Sequence, residues 1–178
     1  DLRVKMSAEI SEGVYILSGL RAFIEANPEL QEAEFLRYAE SVKRLKPSIR
    51  NIAAAPDMII RYVFPLKGNE ATVGLNYRTA PIEQRAAVFR TLREGLPVIA
   101  GPVNLVQGGV GLIVRLPVYV KTPDRQMMEW GILAAVIDAD QFYRRAGIRD
   151  FQKKYDFALK GKDGLGEKGR ERGTTSNR

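Results

Sequence analysis

The sequence predicts an α+β domain in which a long N-terminal helix precedes an antiparallel sheet with flanking helices. Two features carry that expectation. Apolar residues recur at helical spacing up to residue 45, and later segments are β-branched and nearly continuous in their hydrophobicity. The resulting order is two helices, two strands, a helix and three strands, which fits helices segregated to one antiparallel sheet.

From Val4 to Ile24 the apolar positions Val4, Ile10, Val14, Leu17, Leu20, Phe23 and Ile24 fall mostly three and four apart, giving a long amphipathic helix. Ala26-Asn27-Pro28 ends it, because the residue before a proline is pushed out of the α region. The same stripe serves either a core or a stalk, and dimerisation through Val14, Leu17 and their neighbours is the partner expectation for this helix. A second helix is expected over Glu32–Leu45. Phe35, Leu36, Tyr38, Ala39, Val42 and Leu45 lie on one side; Arg37, Lys43 and Arg44 lie toward water.

Ala53 to Pro56 reads as an alanine-rich turn, followed by a strand from Ile59 to Phe64. Gly68-Asn69 then turns the chain into a hairpin partner over Ala71–Leu75. Pro81 opens a third helix that Gly95 closes. Short strands at Val98–Ala100 and Val103–Val106 precede two longer ones, Gly111–Val120 and Trp130–Asp138. A short helix from Asp140 to Ala146 and a structured piece from Phe151 to Leu159 follow, before a glycine-rich, frayed tail. A PAS-like sheet has this pattern of elements.

Composition excludes several function classes. With 45% hydrophobic and 28% charged residues, the chain has the make-up of a folded domain and not of a low-complexity or collagenous one. It contains neither cysteine nor histidine. That removes thiolate nucleophiles, disulfides, the commonest general base and the commonest metal ligand. No enzyme and no cofactor is therefore expected. The formal charge is +7, but residues 160–178 hold six Lys/Arg against three acids and so supply +3 of it. The folded part lacks the basic-aromatic interleaving of a nucleic-acid module, and no nucleic-acid partner is expected. The tail suits solvent or acidic lipid headgroups.

No stretch approaches the ~18 apolar residues of a membrane-spanning helix. Asp1 lies inside a helical pattern, so flanking segments are expected beyond the sequence.

Among motifs with chemical potential, Gly108-Gly109-Val110-Gly111 lacks the Lys-Ser/Thr and the following helix of a phosphate loop, and reads as a turn. Asp138 and Asp140 flank a helix start, where capping is the expected role and metal binding the alternative. Arg115 is the most informative charge. Alternation places it with Ile113 and Pro117 on one strand face, opposite Leu112, Val114 and Leu116. A guanidinium there needs an internal acid or a wet pocket, since burial without a partner is costly. Tyr62 offers an apolar body with a hydroxyl to orient a ligand. Arg61 and Arg78 form a weaker group on the same hairpin, and Trp130 either stacks on a planar ligand or fills the core.

Six motifs in order resemble those of bacterial CHASE domains. They are Phe35-Leu36-Arg37-Tyr38-Ala39, Val63 through Asn69, Gly74-Leu75, Gly101 through Leu105 with Gln107-Gly108-Gly109, Arg115 through Tyr119, and Trp130-Gly131 leading to Val136-Ile137-Asp138. The resemblance covers roughly residues 1–166. It implies the sensor region of a histidine kinase or diguanylate cyclase, related to plant cytokinin receptors. A stalk helix and two PAS-like subdomains would lie between transmembrane helices, on the periplasmic side of an inner membrane, with a small-molecule ligand in the first subdomain. The expected division is a helical part over 1–56, a ligand-binding subdomain over 57–147, and the start of a membrane-proximal subdomain with the basic tail over 148–178. Tyr62, Arg78, Gln107, Arg115 and Trp130 are the expected ligand-binding residues. A dimerisation module without ligand is the alternative, a basic nucleic-acid-binding domain the more distant one.

Overall fold

The computed structural model describes residues 2–148. Helix α1 (Leu2–Ala26) and helix α2 (Glu32–Leu45) come first. Strands β1 (Ile49–Pro56) and β2 (Tyr62–Phe64), helix α3 (Ile82–Glu94), strands β3 (Val98–Asn104), β4 (Val110–Lys121) and β5 (Met127–Asp138), and helix α4 (Ala139–Arg145) follow. All strand pairs are antiparallel in the order β2-β1-β5-β4-β3, the α+β, PAS-like architecture expected from the pattern. No helix among the described residues is long and apolar enough to cross a membrane.

Alternation along the strands divides the sheet into two working faces. On one, Ile52, Ala54, Leu112, Val114, Leu116, Leu133, Ala135 and Ile137 form a core with Leu17, Leu20 and Ile24 of α1 and Phe35, Ala39 and Val42 of α2. Helix α1 lies over β4 and β5, and α2 over β1 and β2. The two helices meet where Phe23 stacks on Tyr38 at 5.0 Å. Gly19 allows this approach, since a Cβ there would sit 3.2 Å from the Tyr38 hydroxyl. On the opposite face Ala53, Ala55, Ile132 and Ala134 form a smaller core with Met58, Ile60 and Tyr77 from the β2 region and Val88 from α3.

Four expectations need correction. Ala53–Pro56 is no turn. It is the second half of β1, a strand next to the centre of the sheet, where small side chains let backbone and cover come close. Ala71–Leu75 forms no hairpin strand. A single 3-10 turn spans Glu70–Thr72, and the pairing is reduced to the Ile60 amide to Leu75 carbonyl bond, its Gly74 to Ile60 counterpart and an Ile59–Asn76 bridge. The two short strands near Gly101-Pro102 are one strand with a register shift between Ala100 and Val103. On α2, Leu45 is exposed, while Lys43 bonds back to the Ile49 carbonyl at 2.8 Å. The structured piece expected at Phe151–Leu159 lies outside the described residues.

Lys46, just past α2, is buried and bonds Glu9 at 3.0 Å and Glu12, both on α1. Arg145 of α4 donates to both oxygens of Glu9 at 2.9 and 3.0 Å. This cluster joins three helical segments on the α1 side of the sheet. Burial raises the Glu9 pKa, but hydrogen bonds and charges from Lys46 and Arg145 outweigh it and hold the carboxyl below its ordinary value.

Candidate functional site

The sheet face turned away from α1 carries a cavity with about 490 Å³ of empty space, counted out to its open mouth. Two rows of cross-strand neighbours on β4, β5 and β1 make its floor. Arg115, Ala134 and Ala53 form one row; Ile113, Val136 and Asn51 form the next. Residues opposite one another on adjacent strands share a face, so the two alanines leave room beside the long arginine. Ile60, Leu75 and Tyr77 wall the cavity from the β2 region, Thr72 from the 3-10 turn, and Gln84 from α3. Asn104 at the end of β3 and residues 105–107 leading to β4 complete the rim.

That rim is fixed to the sheet. Arg50 donates to the carbonyls of Gly108 and Gln107 at 2.6 and 3.1 Å, and the Gln107 amide donates to Asn51 at 3.1 Å. Gly108 and Gly109 adopt positive φ, as the turn requires. Their predicted role as a turn and not a phosphate loop matches this geometry.

Arg115 is 2% exposed, and its Nε and Nη1 atoms have no hydrogen-bond partner among the described residues. The internal acid that sequence reasoning held open as its partner is absent among the described residues. What the guanidinium has is the Tyr77 ring, 5.8 Å from its central carbon to the ring centre. A cation–π contact offsets only part of the cost of burying a full charge.

Of the five residues expected to bind ligand, the structure brings Gln107 and Arg115 to the cavity. Tyr62 pairs with Ala54, so its side chain takes the α2 face, tilted against Phe35 at 5.6 Å. Trp130 also belongs to that face, where its indole nitrogen donates to the Pro28 carbonyl at 3.3 Å. Arg78 is exposed and donates to the Asp57 carbonyl. Asn51, Thr72, Tyr77, Gln84 and Asn104 line the cavity without having been singled out in sequence. Only Asn104, inside the motif from Gly101 to Leu105, left a signal there. Asp138 caps α4 by accepting from the Gln141 amide at 2.8 Å. Among the described residues, no group of His, Cys, Asp or Glu is placed to hold a metal ion.

Comparison with known proteins adds the family. No curated protein matches the chain. Among solved structures, an extracellular ligand binding receptor from Desulfohalobium retbaense DSM5692 is similar, with a TM-score of 0.64 at 16% identity over 81% of this chain. The match takes in 25% of that receptor's length, so this chain corresponds to about a quarter of it. At that identity the likeness concerns the fold. The CHASE domain model matches residues 22–172, most of the sequence, and the chain belongs to the CHASE domain family.

Proposed function

We propose that this chain is the extracytoplasmic ligand-sensing domain of a transmembrane receptor with a histidine kinase or diguanylate cyclase output, and that it is not itself an enzyme. The carrying observation is the cavity on the sheet face opposite α1, floored by Ala53 and Ala134 and lined by the buried Arg115, whose Nε and Nη1 have no hydrogen-bond partner among the described residues. Membership of the CHASE family and the fold shared with a protein described as an extracellular ligand binding receptor support the same reading.

A route for the signal follows from the alternation of β5. Val136 faces the cavity, and the next residue, Ile137, faces α1, where its Cδ1 would lie 3.4 Å from a Cβ built on Gly13. Asp138 then caps α4, whose Arg145 holds Glu9 of α1. A ligand that favours one setting of β5 thereby biases α1, provided that it binds the two settings with different affinity. In the full receptor α1 serves as the stalk and contact between two copies. Leu17 does not take part in that contact, because it is completely buried within its own chain. Half-buried Val14 and exposed Val4 and Tyr15 remain available to it.

Native mass spectrometry of the purified protein, followed by release and identification of small molecules, tests the sensor reading. A stoichiometric small molecule supports it. Protein that carries none and gains no thermal stability from any metabolite contradicts it, leaving a dimerisation module as the better account.

A further inference from the structure

We propose that the cavity binds a small organic monocarboxylate whose carboxylate seats on Arg115; this rests on the reading of the chain as a ligand-binding sensor and names the class of its ligand. Three observations carry it.

The first is the state of the guanidinium. Lys46, another buried cation, meets the carboxylates of Glu9 and Glu12. Arg115 is as deeply buried, but Nε and Nη1 find no acceptor among the described residues. Arginine N–H groups donate charge-assisted bonds to a carboxylate, which are among the stronger ones, and Nε and Nη1 lie on different edges of the guanidinium, each edge completed by Nη2. The Tyr77 ring contacts the guanidinium 5.8 Å from its centre without consuming an N–H.

The second is the charge of the walls. Among the described residues that line the cavity, Arg115 is the one charged side chain. A single positive charge is neutralised by one carboxylate. A dicarboxylate or a phosphate dianion brings a second negative charge with no cation to meet it. An amino acid brings an ammonium with no carboxylate to meet it. Each of these would leave a charge with no opposite charge to meet it on the walls.

The third is what surrounds the charge. Ala53, Ile113, Ala134 and Val136 offer an apolar floor beside Arg115, suited to a hydrocarbon or aromatic body. Gln84 and Asn104 place amides at the rim, able to satisfy one further polar group on the ligand.

The test measures binding by calorimetry and thermal shift with butyrate, isovalerate and benzoate as probes. Their primary amides, succinate, inorganic phosphate and valine serve as comparisons. In the wild-type protein at least one monocarboxylate is expected to bind, with affinity at least about tenfold above its own amide and above the comparison anions. Arg115→Gln is expected to remove that preference, and Arg115→Lys to weaken it while keeping the charge. Amides that bind as tightly as their acids, or a folded Arg115→Gln that binds monocarboxylates unchanged, would overturn the proposal and leave the pocket standing. Tighter binding of succinate, phosphate or valine overturns it likewise. Absence of binding by every probe, together with a screen of neutral metabolites that also finds nothing, removes both the ligand class and the sensor reading. The contrast between acid and amide is read in the wild-type protein, so it decides the matter even if Arg115→Gln does not fold.

Discussion

The guanidinium carbon of Arg115 lies 5.8 Å from the centre of the Tyr77 ring, and the two residues reach that contact from different layers. Arg115 comes from the sheet, between Ala134 on β5 and Val98 on β3, whereas Tyr77 belongs to the irregular segment before α3 that covers the sheet. The contact therefore ties the cover to the floor of the cavity. Tyr77→Phe keeps the ring and should leave stability nearly unchanged. Tyr77→Leu loses the cation–π attraction and aromatic packing, and is expected to cost about 1–3 kcal/mol in urea unfolding.

Removal of the buried charge should act in the other direction. A guanidinium held for a ligand destabilises the unliganded protein, so Arg115→Met, which fills similar volume, should keep or raise the melting temperature without ligand. A fall of several degrees would mean that Arg115 is structural. Sites that give up stability for binding are expected to show this trade-off.

Gly131 marks where β1 and β5 come closest. It adopts φ +149°, and a Cβ there would fall 2.0 Å from the Ala55 carbonyl oxygen. Gly131→Ala should cost at least about 3 kcal/mol, because both the backbone conformation and the strand pairing must yield. Urea titration monitored by circular dichroism reads the effect.

The cluster at α1 predicts an acid dependence with a definite sign. Burial works to raise the Glu9 pKa, but Lys46 and Arg145 prevail and hold it below its ordinary value of 4.5. A carboxyl depressed in the folded state contributes stability that is fully present above 4.5 and is lost as pH falls through the lowered folded value. Lys46→Met should lower stability at neutral pH by about 1–3 kcal/mol and shrink the loss on acidification, since the group that chiefly depresses Glu9 is gone. Melting curves from pH 7 down to about 3 on both proteins check it.

Much of the architecture was legible in sequence because its signals are local. The stripe from Leu17 to Ile24, Pro81 and Gly95 around α3, and the β-branched runs of β4 and β5 each state their element directly. β1 was not legible, for the same reason that it suits the site. Ala53, Ala54 and Ala55 lack the β-branched bulk that marks a strand, and the small Ala53 side chain is part of the cavity floor. At the site, Arg115 was legible because a charge inside an apolar strand is anomalous wherever the strand lies. Tyr62 and Trp130 show the limit of such reasoning. Their chemistry suited a ligand, but which face they occupy depends on pairing, Tyr62 with Ala54, that no local pattern encodes. Tyr77 and Gln84 reach the cavity through tertiary packing of the cover, which leaves no periodic trace.

Whether ligand is taken up on the sheet face opposite α1 is decided by a thermal-shift screen of small metabolites run in parallel on wild type and Ala134→Met. The longer side chain fills the floor beside Arg115 without touching the α1 face. Compounds that raise the wild-type melting temperature should lose their effect in a variant that still unfolds cooperatively. Undiminished shifts in Ala134→Met would place ligand elsewhere on the protein and rule out uptake on this face.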